Sequence, residues 1–123
     1  MTGDPTPVTL SEKLKLIADH WHPRIVARVD DHYVKLVKVK GEFVWHIHAD
    51  QDEMFLVLEG EIVIRMRDAD VILSPGDLFV VPRGTEHCPV AENEASLLVL
   101  GRADTDQTGG VASALRAEEQ EWI

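Results

Sequence analysis

From residue 24 onward the chain is a succession of short apolar runs: RIVARV, YVKLVKVK, EFVWHIH, MFLVLEG, EIVIRMR, VILS, DLFVVP, HCPVA and SLLVLG. Gly, Pro, Asp or Asn separates them at close intervals, and no strand-helix alternation is long enough for parallel crossovers. Such a texture leaves an all-β sandwich or closed barrel as the fold class. Glu59-Gly60-Glu61 reads as a hairpin between two strongly apolar strands, and Asp68-Ala69-Asp70 and Ser74-Pro75-Gly76-Asp77 read as tight turns.

Helical expectations are confined to the ends. Residues 1 to 8, with Gly3, Pro5 and Pro7, read as a loose tail. Thr9 followed by Glu12 fits a capping box, and Leu10, Leu14, Ile17, Ala18 and Trp21 fall at helical spacing, so a short amphipathic helix is expected from about residue 10 to 20, ended by Pro23. After Gly101 the chain turns polar, RADTDQTGG, and then VASALRAEEQEWI has helix-forming composition, with Val111, Leu115 and Trp122 as docking residues. The organisation expected is therefore a tail and short helix over 1–22, a β-domain over 23–101, and a polar loop with a C-terminal helical segment over 102–123.

A chain of 123 residues fits one domain. Its 22 acidic against 12 basic side chains, a net charge of -10, oppose binding to nucleic acid or anionic lipid, both of which reward clustered Lys and Arg. No apolar run approaches the roughly 20 residues that cross a bilayer, and the N-terminus has no apolar signal core, so a cytoplasmic location is expected. The lone Cys88 forms no disulfide within the chain, which suits a reducing compartment.

Chemistry concentrates in WHIHADQDEMFLVLEG, Trp45 to Gly60. Histidines at i and i+2 of an extended segment project from one face, so His46 and His48 point at one target. Together with a carboxylate and the distant His87 they make an imidazole and carboxylate set suited to a divalent first-row metal, with coordination positions left open. Asp50, Asp52 and Glu53 all compete for the carboxylate role, and strand parity does not choose among them.

The stretch GEFVWHIHADQDEMFLVLEG, Gly41 to Gly60, and GDLFVVPRGTEH, Gly76 to His87, resemble the two successive motifs of the cupin superfamily, small β-barrels with a metal site inside. Only residues 61 to 75 separate them, as in compact bacterial members. Gly41 stands one residue closer to His46 than the family pattern has it, and Ala91 replaces the closing Asn, with Asn93 two positions late. The resemblance covers about Tyr33 to Gly101. It implies a double-stranded β-helix, or jelly-roll barrel, and one divalent metal ion, such as Mn, Fe, Ni or Zn, held by His46, His48, Glu53 and His87. Family spacing thus selects Glu53, which is also the expected catalytic residue, and leaves Asp50 and Asp52 in a solvated loop.

Other residues carry less. Cys88 is expected to point away from the site as a packed thiol; His20, His22 and His32 are expected at the surface; Arg83 is expected in solvent; Phe43, Trp45 and Ile47 are expected to pack on the sheet. What the resemblance implies for function is a metal-dependent enzyme acting on a small molecule, with isomerase or dioxygenase-like chemistry. The alternative is a non-catalytic metal- or ligand-binding module. Short cupins of this kind are often labelled mannose-6-phosphate isomerase-like, yet a phosphosugar wants a cationic clamp, for which Arg28, Lys35 and Arg83 are only loose candidates. A metal-free enzyme using a histidine base is disfavoured because all four ligand positions are filled. A homodimer is expected, with Leu14, Ile17 and Trp21 helping to cover a sheet edge or face.

Overall fold

Alternation along YVKLVKVK sorts its side chains onto two faces, and both faces are covered. In the computed structural model, which describes residues 6–117 and 119–123, this run lies in β2 (His32–Glu42). Before it come α1 (Leu10–Leu14) and β1 (Arg24–Val29); after it come β3 (Glu53–Glu59), β4 (Ile62–Met66), β5 (Asp70–Leu73), β6 (Leu78–Val81), β7 (His87–Arg102) and β8 (Glu121–Trp122). The strands follow the order β5-β4-β7-β2-β1-β8, while β3 pairs with both β7 and β6. This is the all-β barrel expected from the sequence. Val37 and Val39 of β2 face a barrel core with Phe55, Val57, Ile62, Ile64 and Leu97. Leu36 faces the other way, into a second cluster with Leu14, Ile17 and Val26.

The two runs HCPVA and SLLVLG form one strand. Pairing of β2 with β7 proceeds from His32↔Arg102 to Val39↔Ala95, slips, and resumes at Gly41↔Ala91. The surplus residues, Glu92 to Glu94, are exposed and form a bulge that lets β7 turn from β3 to β4. The hairpin after β3 abuts that bend. Gly60 has φ +80, and a Cβ there would stand 2.8 Å from the Glu94 carbonyl oxygen and 2.9 Å from Ala95 Cα, so only glycine fits. The other two turns form as well: Met66 N–H donates to the Ala69 carbonyl at 3.1 Å, and the Ser74 N–H donates to the Asp77 carboxylate at 2.9 Å.

Three expectations at the ends need correction. The first helix has only five residues, and Thr9 makes no side-chain cap. Glu12 and Lys13 donate their amides to the Thr9 carbonyl instead, and the chain leaves the helix by tight turns, Leu16 N–H to Lys13 and Ile17 N–H to Leu14. Burial of Leu14 and Ile17 against this chain's own sheet, a contribution of about 1.5–3 kcal/mol for each side chain, outweighs continuation of a helix. Leu14, Ile17 and Trp21 cover faces of this chain's own sheet.

The expected C-terminal helix is the third correction. Its described residues form turns and β8, which runs parallel to β1 through Arg24↔Glu121 and Ile25↔Trp122. The Ile123 N–H donates to the Ile25 carbonyl at 3.1 Å, and the Trp122 ring meets Tyr33 edge-on at 5.6 Å. An open strand edge offers hydrogen bonds and an aromatic contact that outweigh helix propensity, which is worth only tenths of a kcal/mol per residue. Leu115 packs against the barrel core, whereas Val111 stays exposed. The loose tail expected over residues 1 to 8 falls in part on 1–5, outside the described residues.

Candidate metal centre

The segment EFVWHIH is mostly not strand. After β2 it is irregular, held by one antiparallel bridge in which His46 and His87 exchange both backbone hydrogen bonds, at 3.0 and 2.9 Å. That bridge sets the two rings side by side, their centroids 4.3 Å apart. His48 is held by a different contact: the turn Pro82-Arg83-Gly84-Thr85, closed by Thr85 N–H to the Pro82 carbonyl, donates the Gly84 N–H to the His48 carbonyl at 2.8 Å. Glu53, the first residue of β3, has the same parity as Phe55 and Val57 and so faces inward.

These placements bring one ligand atom from each of His46, His48, Glu53 and His87 within 4.8 Å of all the others. The three histidines are buried. His46 Nδ1–H donates to the Val44 carbonyl at 2.8 Å and His87 Nδ1–H to the Thr85 carbonyl at 2.9 Å, which fixes the tautomer and leaves each Nε2 as a lone-pair donor. The Glu53 carboxylate lies 3.6 Å from His48 Nε2 and 3.5 Å from His87 Nε2, too far for good hydrogen bonds. Both Nε2 atoms are buried without a hydrogen-bond partner.

Buried ring nitrogens are rarely left unpartnered, because each costs about 1–3 kcal/mol. A divalent cation among the three imidazoles and the carboxylate would satisfy them together, and the donor set suits a first-row metal. The residues therefore fit the ion that a site of this composition implies. Electrostatics hold them in ligating form. Burial, followed by the His87 charge, pushes His46 down to about 4, and burial also depresses His48. Burial alone would raise Glu53, but its contact with His87 and the nearby His48 and His46 outweigh that and leave it below the usual carboxylate range. At neutral pH, His46 and His48 are thus neutral and the carboxylate is ionised.

The rivals for the carboxylate role point elsewhere. Asp50 accepts from Arg102 Nη2 at 3.2 Å, and Asp52 accepts from the Arg83 backbone N–H at 2.9 Å; both are exposed. Arg83 lies in solvent apart from its Asp52 pairing. Cys88 is buried on the far side of the strand from the cluster, its thiol pushed up to about 11 by burial and then by Glu42. His20 and His32 are near the surface, paired with Glu94 and Asp31; His22 is half-buried between Asp19 and Glu121. Phe43 packs as expected, stacked on Trp21 at 4.7 Å and edge-on to His46 at 5.4 Å. Trp45 instead lies under the Arg67 guanidinium at 3.8 Å, and Ile47 is 43% exposed, because the irregular backbone breaks strand alternation there.

Beside the cluster is an apolar cavity of about 60 Å³, walled by Trp21, Val37, Val39, Phe43, Phe55 and Leu97, with His46 and Glu53 at one end and Gln107 at its rim. Two wall residues escaped the sequence reading. Trp21 fits the helix stripe by its spacing, and only Pro23 two residues later hints at a turn. Gln107 lies in a polar loop with no periodicity to place it; its side-chain amide donates to the Trp21 carbonyl and its oxygen accepts from the Ala117 N–H at 2.5 Å.

Fold and site together define a small barrel with a cluster of three histidines and a glutamate in its interior that could hold a metal ion. The chain belongs to the cupin domain family, whose model matches residues 33–101. It is similar to a cupin-2 domain-containing protein from Shewanella frigidimarina, with 43% identity, a TM-score of 0.76, and coverage of 77% of this chain and 93% of that one. A similar fold occurs in protein NMB1881 from Neisseria meningitidis, 28% identical with a TM-score of 0.73 over 80% of this chain and 100% of that one. The uncharacterized protein YdbB of Bacillus subtilis is 43% identical over 63 residues, 50% of this chain; the match spans 56% of that relative's length.

Proposed function

We propose that this protein is a metal-dependent enzyme acting on a small organic molecule, with isomerase or dioxygenase-like chemistry at one divalent ion of Mn, Fe, Ni or Zn held by His46, His48, Glu53 and His87. The observation that carries this reading is the pair of buried, unpartnered Nε2 atoms of His48 and His87 aimed at the Glu53 carboxylate. When bound, such an ion supplies Lewis-acid polarisation of a substrate oxygen. The chain's own part is to fix His46 and His87 through Val44, Thr85 and the bridge between them, to hold the His48 backbone through the Gly84 N–H, to set the charge through Glu53, and to exclude water with the apolar wall of Phe43, Phe55 and Trp21.

KdgF from Halomonas sp., a solved structure 29% identical with a TM-score of 0.60 over 68% of this chain and 80% of that one, is among the similar folds. A non-catalytic binder is the second reading, favoured by the small size of the cavity, about 60 Å³. A screen of small acids, sugars and enols against metal-loaded protein separates the two: turnover that disappears on metal removal supports the enzyme, and tight binding without turnover of any compound supports the binder. We further propose a homodimer in the cytoplasm. Leu78 and Val80, 56% and 43% exposed on β6, support the first, since among the described residues β6 pairs only with β3. The single buried Cys88 fits a reducing compartment. Among the described residues no helix is long and apolar enough to cross a membrane.

A further inference from the structure

Along β2 the inward row runs Tyr33, Lys35, Val37, Val39, and the two valines line the metal-side cavity. Lys35 is thus a cation on the inner face of the barrel. It stands opposite Val99 of β7 on one side and Ile25 of β1 on the other, and Val99 stands opposite Phe55 of β3. Lys35, Val99 and Phe55 therefore form one cross-strand row, and Glu53 lies two residues along β3 from that row, on the same face. No other Lys or Arg occupies the inward rows of β2, β3 or β7.

The surroundings of Lys35 are unusual for a charge. The cations with a carboxylate in ion-pair contact are Arg24, Arg67, Arg83, Arg102 and Arg116; the other described lysines, and Arg28 and Arg65, are without one, but Lys35 differs from them in lying on the inner face. Among the described residues Lys35 has none, and its ammonium lies 5.9 Å from the Tyr33 ring centroid. A half-buried ammonium without a counter-charge is costly. Burial lowers its pKa, opposed only by the field of Glu53.

Lys35 also opens onto a second, polar cavity of about 210 Å³, which it lines with Gln107 and Arg116. Pro23 and Gln107 belong to the walls of both cavities, so the polar one lies directly beside the cavity at the cluster, in the position of a vestibule. The vestibule also carries acids, but Asp106 is held by Arg116 at 2.6 Å and Asp104 by Arg102 at 3.3 Å, while Glu119 is exposed at the rim. Lys35 is the cation there that lacks such a partner among the described residues.

We propose that Lys35 binds the carboxylate of a small organic acid in the vestibule, leaving the acid's other oxygen atoms directed past Gln107 toward the cluster of His46, His48, Glu53 and His87. This rests on the metal reading above and specifies its substrate class as anionic. Lys35 is a specificity residue in this role: it does not meet the metal ligands and chooses what reaches them.

The test uses malonate as probe, titrated by calorimetry into full-length protein in metal-loaded and metal-stripped form, with elemental analysis of each sample. Lys35→Met keeps the aliphatic stem and removes the charge, and unfolding curves check that it folds. Its malonate affinity should fall about tenfold or more in both forms, corresponding to about 1.4 kcal/mol. Lys35→Arg should recover most of that affinity, and added salt should weaken wild-type binding but hardly affect Lys35→Met. Lys35→Met with normal metal content and malonate affinity within twofold of wild type overturns the proposal, as does wild-type protein that does not bind malonate in either form. Failure of the metal reading shows separately: no ion is found in loaded samples and the two forms bind alike, while the Lys35→Met loss persists.

Discussion

The buried histidine cluster makes the metal-free protein acid-sensitive in a way that one substitution isolates. His46 is held down to about 4 by burial and then by His87, against 6.5 for an unperturbed histidine. Between those values the unfolded chain takes up a proton that the native chain refuses, so stability rises with pH across the window. The contribution is fully present above about pH 6.5 and is lost as pH falls toward 4. A difference of about 2.5 pH units at about 1.36 kcal/mol each gives a loss of about 3 kcal/mol at this one residue. The side chain is only 4% exposed, so solvent screening takes little from that figure. His48 and Glu53 are also depressed and act in the same direction. Urea unfolding of chelator-treated wild type and His46→Gln at pH 7.5 and pH 4 supplies the comparison. Carboxylates away from the cluster are common to both proteins, so the double difference reports position 46 together with its coupling to Glu53. Wild type should lose about 3 kcal/mol more than the variant. Equal losses, or a larger loss in the variant, would refute the reasoning.

Three further outcomes follow from the same geometry. Glu53→Gln should keep part of the metal, since three imidazoles remain, yet lower turnover of any substrate found by about tenfold or more, read by elemental analysis and steady-state rates on one preparation. Gly60→Ala should cost about 2 kcal/mol or more in urea unfolding, because φ +80 and a 2.8 Å approach to the Glu94 carbonyl oxygen leave no room for a methyl group; an effect under about 0.5 kcal/mol would contradict the packing at the β7 bend. Light scattering at micromolar concentration should give twice the chain mass, falling to one chain mass for the double variant Leu78→Glu, Val80→Glu; a wild-type monomer would remove the dimer.

The strands were legible because their cause is local: apolar residues at a period of two, interrupted by Gly, Pro and Asp, leave little choice but a sheet on a core. The four clustered residues were legible only in part from chemistry. His46 and His48 declare themselves by spacing, but Glu53 was separated from Asp50 and Asp52 by a family pattern, and the structure shows what the bare sequence did not: Arg102 and Arg83 hold the two aspartates outside. The ends misled because their conformation is decided at a distance. Residues 111–123 have helix-forming composition, yet β1 offers its edge to Glu121 and Trp122, and Ile123 hydrogen-bonds to Ile25 across most of the chain's length. In the sequence Lys35 is only a loose candidate for a cationic clamp, beside Arg28 and Arg83; its register with Val99 and Phe55 is what places it on the inner face.

Metal content is the most direct measurement. Wild-type protein purified without chelator, or loaded with a divalent first-row ion and desalted, should carry one ion per chain by elemental analysis, and occupancy should fall as the sample is brought to acid pH, where the ligands are protonated. His46→Ala and His87→Ala should each lose most of the ion while circular dichroism still reports the β-fold. Normal stoichiometry in both variants, or no ion retained by wild type, would contradict the assignment of His46, His48, Glu53 and His87 as a metal centre.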